Sequence, residues 1–199
     1  MNVRDRYDIA TMIANTKEKY KIEFAIRTLL DSNTISSKHI KDIIEIILNS
    51  KNYYQARYAY IIAVNSTVRE SNKVLELIKL VTQEEDIYKI EYSSLVARAK
   101  QVVDSGKVLE LTKIVTQAKT EKEAINIANV ARNFKVLDSK YTIGLTKLAQ
   151  NGIDPDRIYK LLEIINNNKR KTLAKGKYKI LRNKKEVNNE RSINNRNSF

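Results

Sequence analysis

The feature that most constrains this chain is an internal repeat of 34 residues. Residues 72–105 and 106–139 align without a gap and are identical at 15 of 34 positions. A repeat of this length is typical of stacked helical hairpins, because each hairpin can bury its apolar face only against its neighbours. Extending the frame in both directions divides the chain into five units: 4–37, 38–71, 72–105, 106–139 and 140–167.

Cap residues recur in the same frame and predict a helix A and a helix B in every unit. Residues able to cap a helix N-terminus precede each helix A, namely Ser37, Ser71, Ser105 and Ser139. A second set precedes each helix B, namely Asn52, Asp86, Thr120 and Asp154. Thr120 with Glu123 forms a capping box, and Asn52 with Gln55 forms a looser one. Gly152 is expected to end the last helix A, and Pro155 to open the last helix B.

Apolar residues also recur in columns of the repeat, at the spacing of one helical stripe. Helix A carries positions 9, 43, 77, 111 and 145, and positions 13, 47, 81, 115 and 149. Helix B carries positions 22, 56, 90, 124 and 158, and positions 29, 63, 97, 131 and 165. The alanines at 63, 97 and 131 are expected to let helices approach closely.

The period is similar to that of the tetratricopeptide class, and the plan resembles α-solenoids in general. The resemblance implies an all-α, right-handed-type α-solenoid of about five helix-turn-helix repeats over residues 1–167. It carries no binding residues to this chain, because Ile78 and Thr112 stand where the class pattern has Gly or Ala.

Composition narrows the chemistry that the chain can perform. There is no Cys, so a disulfide or thiolate metal site is excluded, and His39 is the only histidine. No run of about 18 apolar residues and no signal-peptide core are present, so we expect a cytoplasmic protein. With no phosphate loop and no clustered acid–base residues, we expect no enzymatic activity, no cofactor and no metal.

An aromatic ladder lies on helix B of the first three units. Tyr20, Tyr54 and Tyr88 share one column, and Phe24, Tyr58 and Tyr92 share the column one turn later. Two interpretations stay open. The ladder can be packing between helices, or it can be a contact surface for a protein partner, for a second copy of the chain, or for nucleic-acid bases.

A polar ladder lies on helix A. Lys79, Lys113 and Lys147 share one column, with Gln83 and Gln117 following it. Such a ladder can line a surface that binds a peptide main chain or a phosphate backbone. It can also be an ordinary solvent-facing surface of good helix formers.

The C-terminal residues 168–199 form a basic, Asn-rich tail that we expect to be largely disordered after about residue 183. Residues 166–199 hold 11 Lys or Arg and 2 Glu, whereas the whole chain has a net charge of +14. The densest part contains Lys169, Arg170, Lys171, Lys175, Lys177, Lys179, Arg182, Lys184 and Lys185. Such an arm can attract RNA or another nucleic acid by counterion release, attract an anionic membrane surface, or serve only for solubility or protein docking.

These features together favour a non-enzymatic helical-repeat module that binds a protein or peptide partner, with the cationic tail as a non-specific anchor. The alternative is a nucleic-acid-binding protein, for RNA more than DNA, that uses the repeat surface and the tail together. A third interpretation is a protein that self-associates through the tyrosines.

Overall fold

The chain is all-α in the residues that the structure, a computed structural model, describes: 1–32, 35–99, 104–137 and 140–168. Ten helices have both ends in this part, and it contains no strand. They are α1 (Val3–Ala14), α2 (Lys19–Asp31), α3 (Ser37–Leu48), α4 (Tyr53–Asn65), α5 (Ser71–Thr82), α6 (Ile87–Ala97), α7 (Ser105–Thr116), α8 (Glu121–Arg132), α9 (Phe134–Leu137) and α10 (Thr142–Gln150). Residues 155–168 are also helical. None of the helices in the described ranges has the length and apolar character to cross a membrane.

Helix positions follow the 34-residue frame. The helices α3, α5 and α7 begin at residues 37, 71 and 105, and α4, α6 and α8 begin at 53, 87 and 121. The helical segment that begins at 155 continues the second series. The short helix α9 lies outside the frame, in the connection between α8 and α10. The sequence did not predict it, because four residues are too few to show a helical period.

The caps of the B helices confirm part of the predicted column. The Asn52 side chain accepts a hydrogen bond from the N–H of Gln55 at 3.0 Å, and Thr120 accepts one from the N–H of Glu123 at 3.2 Å. The Gln55 side chain accepts in return from the N–H of Lys51 at 2.8 Å. Glu123 does the same one repeat later. In contrast, Asp86 makes no side-chain cap bond.

The predicted caps of α3, α5 and α7 are wrong by one residue, and α10 has Tyr141 as its N-cap, two residues after the predicted Ser139. Ser71 is the first residue of α5, and the N-cap is Glu70. For α7 the N-cap is Asp104, whose carboxylate accepts from the N–H groups of Gly106 and Lys107 at 3.0 and 3.2 Å. In α7 the Asp104 carboxylate, one residue before Ser105, therefore makes the cap bonds that were predicted for the serine. The side chains of Ser37 and Ser105, and all of Ser139, lie outside the described residues.

Ser71 bonds to the preceding A helix instead of capping its own. Its hydroxyl accepts from the N–H of Ser36 at 3.0 Å and lies 2.8 Å from Nδ1 of His39. The only histidine of the chain thus joins the starts of α3 and α5, which is a packing role.

The predicted end of the last helix A is confirmed. Gly152 has φ +84°, and the N–H groups of Gly152 and Ile153 donate to the carbonyls of Ala149 and Leu148, both at 3.0 Å. This pair of bonds is a Schellman motif, which satisfies carbonyls that the helix leaves free. Two residues later, Asp154 accepts from the N–H of Asp156 at 2.9 Å, which caps the next helical segment.

The repeated apolar columns form the core of residues 1–158, which make up one compact unit. Ile43, Leu77 and Leu111 are fully buried, as are the small residues Ala97 and Ala131. Each A helix contacts the next in the series α1, α3, α5, α7 and α10, and each B helix contacts the next in the series α2, α4, α6 and α8. Consecutive helices of neighbouring repeats pack as well, such as α4 against α5 and α6 against α7.

The first repeat departs from the columns. Ile22 and Leu29 are only half-buried, whereas Ala25 and Thr28 of the same helix have no exposed surface. Helix α2 therefore turns a different stripe of its surface inward than the columns predict.

Candidate protein-interaction surface

Some residues of the aromatic ladder are buried between helices, and others lie partly exposed at the surface. Phe24 and Tyr58 are 8% and 7% exposed. Tyr20, Tyr88 and Tyr92 are half-buried, and Tyr54 is 37% exposed. The column of Phe24 and Tyr58 therefore packs between helices, and the column of Tyr20 and Tyr54 lies closer to solvent.

The burial of Tyr58 determines its protonation state. It raises the pKa of the Tyr58 hydroxyl above the ordinary value, and nearby Glu91 adds to the effect. The Arg57 guanidinium carbon lies 5.7 Å from the centre of the Tyr58 ring, a cation–π contact. Tyr58 is thus a neutral packing residue at physiological pH.

A tyrosine that the sequence did not single out is the centre of the aromatic contacts. The ring centre of Tyr53 lies 5.4 Å from that of Tyr20, 5.7 Å from Phe24 and 5.8 Å from Tyr54. Phe24 also stacks on Tyr60 at 5.5 Å, with 14° between the rings. Tyr53 and Tyr60 were missed because their columns hold Ile87 and Ser94 in the next repeat, so no aromatic pattern recurs there.

A partly exposed apolar surface remains at the first turns of α2, α4 and α6. Tyr53 is 43% exposed and Ile87, at the same repeat position on the neighbouring helix, is 46% exposed. We call this surface the tyrosine edge and define it by Tyr20, Tyr53, Tyr54, Ile87 and Tyr88. At its far side, the Tyr88 hydroxyl donates to the Asp86 carboxylate at 3.3 Å, and desolvation is the main cause that raises the pKa of Tyr88.

The turn before α6 is strongly acidic, with Glu84, Glu85 and Asp86 in succession. Lys51 of the preceding turn reaches Glu85 at 2.5 Å, and this hydrogen bond lowers the pKa of the Glu85 carboxyl. Lys89 lies 3.3 Å from Asp86 and 3.7 Å from Glu84. The turn therefore makes ion pairs with lysines and accepts a hydrogen bond from the Gln55 side chain at the Glu84 carbonyl, at 2.9 Å, instead of capping α6 through Asp86.

The polar ladder of the A helices is exposed throughout: Lys79, Lys113, Lys147, Gln83 and Gln117 all face solvent. Lys147 forms an ion pair with Glu110 of the preceding A helix at 3.3 Å, and Gln117 accepts from the Gln150 amide at 3.2 Å. Lys147 and Gln117 therefore link neighbouring A helices.

Lys79 lines a shallow surface pocket between α3 and α5. The other lining residues are Asp42, Glu45, Ile46 and Asn49. The pocket combines a cation, two carboxylates and a carboxamide, so its chemistry suits polar groups of either sign.

A longer polar column appears at the ends of the A helices. The residue that caps the C-terminus is an amide in every case: Asn15, Asn49, Gln83, Gln117 and Asn151. All five are exposed. The sequence identified only the two glutamines, although the same 34-residue frame extends to the three asparagines.

The basic tail residues, from Lys169 through Lys185, lie outside the described residues. Within the described ranges, no group of three or more His, Asp or Glu side chains is placed to hold a metal ion.

Comparison of the chain with protein-family models, with curated proteins and with solved structures finds no match.

Proposed function

We propose that the chain is a non-enzymatic α-solenoid of about five helical hairpins that binds a protein or peptide partner through the tyrosine edge. The order of helix contacts supports the solenoid, because each A helix touches the next A helix and each B helix the next B helix. Such an array offers a long surface with one copy of each side chain per repeat.

The observation that carries the proposal is the joint exposure of Tyr53, Tyr54 and Ile87 at 43%, 37% and 46%. Tyrosine combines a large apolar area with a polar group and few rotamers, which suits it to binding surfaces. The rings are also held in place, since Tyr53 packs on Tyr20 and Phe24 while part of it faces solvent. A rigid, partly exposed aromatic group loses little conformational entropy when a partner covers it.

The test uses the full chain to select binders from a displayed library of random peptides of about 12 residues, a length that spans about 40 Å when extended. Selected peptides are labelled and titrated by fluorescence anisotropy against the wild type and against Tyr53→Ser/Tyr54→Ser. We expect the double substitution to raise Kd by about tenfold or more, as loss of central aromatic contacts does.

Tyr7→Ser is the matched control, because Tyr7 is 73% exposed on α1, away from the tyrosine edge. It should leave Kd within about twofold, and salt should change Kd little. Equal affinity of the double variant and the wild type for every selected peptide would contradict the proposal.

A second candidate function is binding of RNA, and the charge of the tail favours it. Residues 166–199 carry 11 basic and 2 acidic side chains. If this candidate is correct, the full chain should bind labelled single-stranded RNA with an affinity that falls steeply with salt. Replacing Lys169, Arg170 and Lys171 with Ser should weaken that binding, and the tyrosine-edge variant should not.

A further inference from the structure

We infer that the five amides at the ends of the A helices bind the main chain of an extended polypeptide that carries basic residues. This inference rests on the proposed function and names the chemistry of the partner. The surface, which we call the amide edge, consists of the A–B turns at 15–19, 49–53, 83–87, 117–121 and 151–155, each starting with its amide.

The amides have the chemistry that a peptide group requires. A carboxamide donates and accepts at once, so it can pair with both the C=O and the N–H of a main chain. Among the described residues, only Gln117 of the five bonds to another side chain. Asn15, Asn49, Gln83 and Asn151 keep their donors and acceptors in solvent.

The spacing of the amides suits an extended chain. Neighbouring A helices are in contact, and packed helices lie about 8–10 Å apart. An extended polypeptide advances about 3.3 Å per residue, so it meets one amide about every third residue. A polyproline II segment repeats at a similar distance, because three residues of about 3.1 Å make one turn.

The charge of the amide edge argues for a polypeptide and against a nucleic acid. Its five turns contain four lysines and six acidic residues, a net charge of −2 on a chain whose total is +14. A phosphate backbone is repelled by such a surface, whereas lysine or arginine side chains are attracted to it. Glu85 is exposed but pairs with Lys51 at 2.5 Å, so a basic side chain of the partner must replace that lysine there.

The tyrosine edge adjoins the amides. Asn49 ends α3 and Tyr53 begins α4, so both belong to one A–B turn. A chain held by Asn49 and Gln83 therefore passes beside Tyr53 and Tyr54, where it can bury an apolar side chain.

The experiment uses the full chain and two pools of labelled peptides of about 12 residues, one with Lys and one with Glu at every third position. A third pool repeats the Lys peptides with N-methylated peptide groups between the lysines, which removes main-chain donors and keeps the charge. An oligouridylate of similar length represents nucleic acid. Binding is measured by fluorescence anisotropy at about 0.15 M salt, where long-range charge effects are largely screened.

We expect the Lys pool to bind more tightly than the Glu pool, the RNA and the N-methylated pool. Asn49→Ala/Gln83→Ala should weaken binding of the Lys pool by about tenfold, as loss of two sets of hydrogen bonds predicts. The same substitutions should not change binding of the N-methylated pool. The control Asn72→Ala/Asn129→Ala removes two exposed amides elsewhere and should have no effect.

Three results would overturn the inference: tighter binding of the Glu pool or the RNA, equal binding of the N-methylated pool, or equal effects of the two amide pairs. The proposed function can survive these results. If peptides selected on the full chain still lose affinity in Tyr53→Ser/Tyr54→Ser but not in Asn49→Ala/Gln83→Ala, the tyrosine edge binds the partner and the amides do not.

Discussion

Two glycines of the last A helix, Gly144 in its first turn and Gly152 just beyond its C-cap, should respond in opposite directions to the same substitution. Gly152 has φ +84°, a left-handed conformation, and Gly144 lies inside α10 at an exposed position. A Cβ added at either position meets no atom within 4 Å, so steric contacts do not decide the outcome. The backbone conformation alone decides it.

The magnitudes follow from that conformation. At residue 152, an L-side chain in the left-handed region costs about 1–2 kcal/mol, and the loss of unfolded-state entropy returns about 0.4–1 kcal/mol. Gly152→Ala should therefore destabilise by about 1 kcal/mol. At residue 144 there is no such strain, and alanine is favoured over glycine inside a helix by about 0.5–1 kcal/mol.

Urea unfolding followed by circular dichroism measures both effects, with thermal midpoints as a second reading. A change of 1 kcal/mol moves the midpoint by about 2–4 °C in a chain of this size, so the two variants should differ by several degrees. Gly152→Asn should cost less than Gly152→Ala, because asparagine tolerates the left-handed region. Stabilisation by both alanine substitutions would refute the assigned Schellman end of α10.

Three further outcomes are expected. Asn52→Ala should cost about 1 kcal/mol because it removes a cap bond at 3.0 Å. Asp86→Ala should cost less than half as much, because the Asp86 side chain makes no cap bond and its contacts with Tyr88 and Lys89 are partly exposed to solvent. Urea unfolding compares the two variants, and equal costs would contradict the assigned caps. Leu111→Ala should cost about 2–5 kcal/mol, because Leu111 is fully buried, and a loss below about 1 kcal/mol would remove that residue from the core. The Lys41 ammonium lies 2.5 Å from Asp8 and lowers the pKa of the Asp8 carboxyl. The carboxylate therefore contributes stability at pH values above its unfolded pKa of about 3.9. That contribution is lost as the pH falls through the lower folded pKa. Asp8→Asn should accordingly be less stable than the wild type at about pH 6 and equal to it at about pH 2, as urea midpoints at the two pH values can show; a constant difference would contradict the sign.

The sequence predicted the positions of the helices well, because one frame determined them repeatedly. The fully buried Ile43, Leu77 and Leu111 occupy one column of that frame. A cap, by contrast, depends on the local geometry of two or three residues. The frame therefore placed Ser71 near the start of α5 but could not show that its hydroxyl bonds to Ser36 and His39 of another helix.

The candidate surface was less predictable than the helices. Side chains that share a column share an environment only if every repeat has the same neighbours. Tyr58 is buried, whereas Tyr92, in the same column one repeat later, is half-buried. Tyr53 contacts three aromatic rings although its column is not aromatic, because its partners come from α2 and from its own helix. Such contacts between columns are fixed by packing, which a repeat pattern does not encode.

Mapping where a polypeptide binds is the most direct test of the function proposed for this chain. Isotope-labelled full chain is titrated with a peptide selected on it, and amide chemical shifts are followed by NMR. If the chain binds its partner as proposed, the shifts change at the A–B turns, above all at Tyr53, Tyr54, Asn49 and Gln83. Shifts confined to the opposite turns, around Ser66–Glu70, or to the basic tail would show that the partner binds elsewhere.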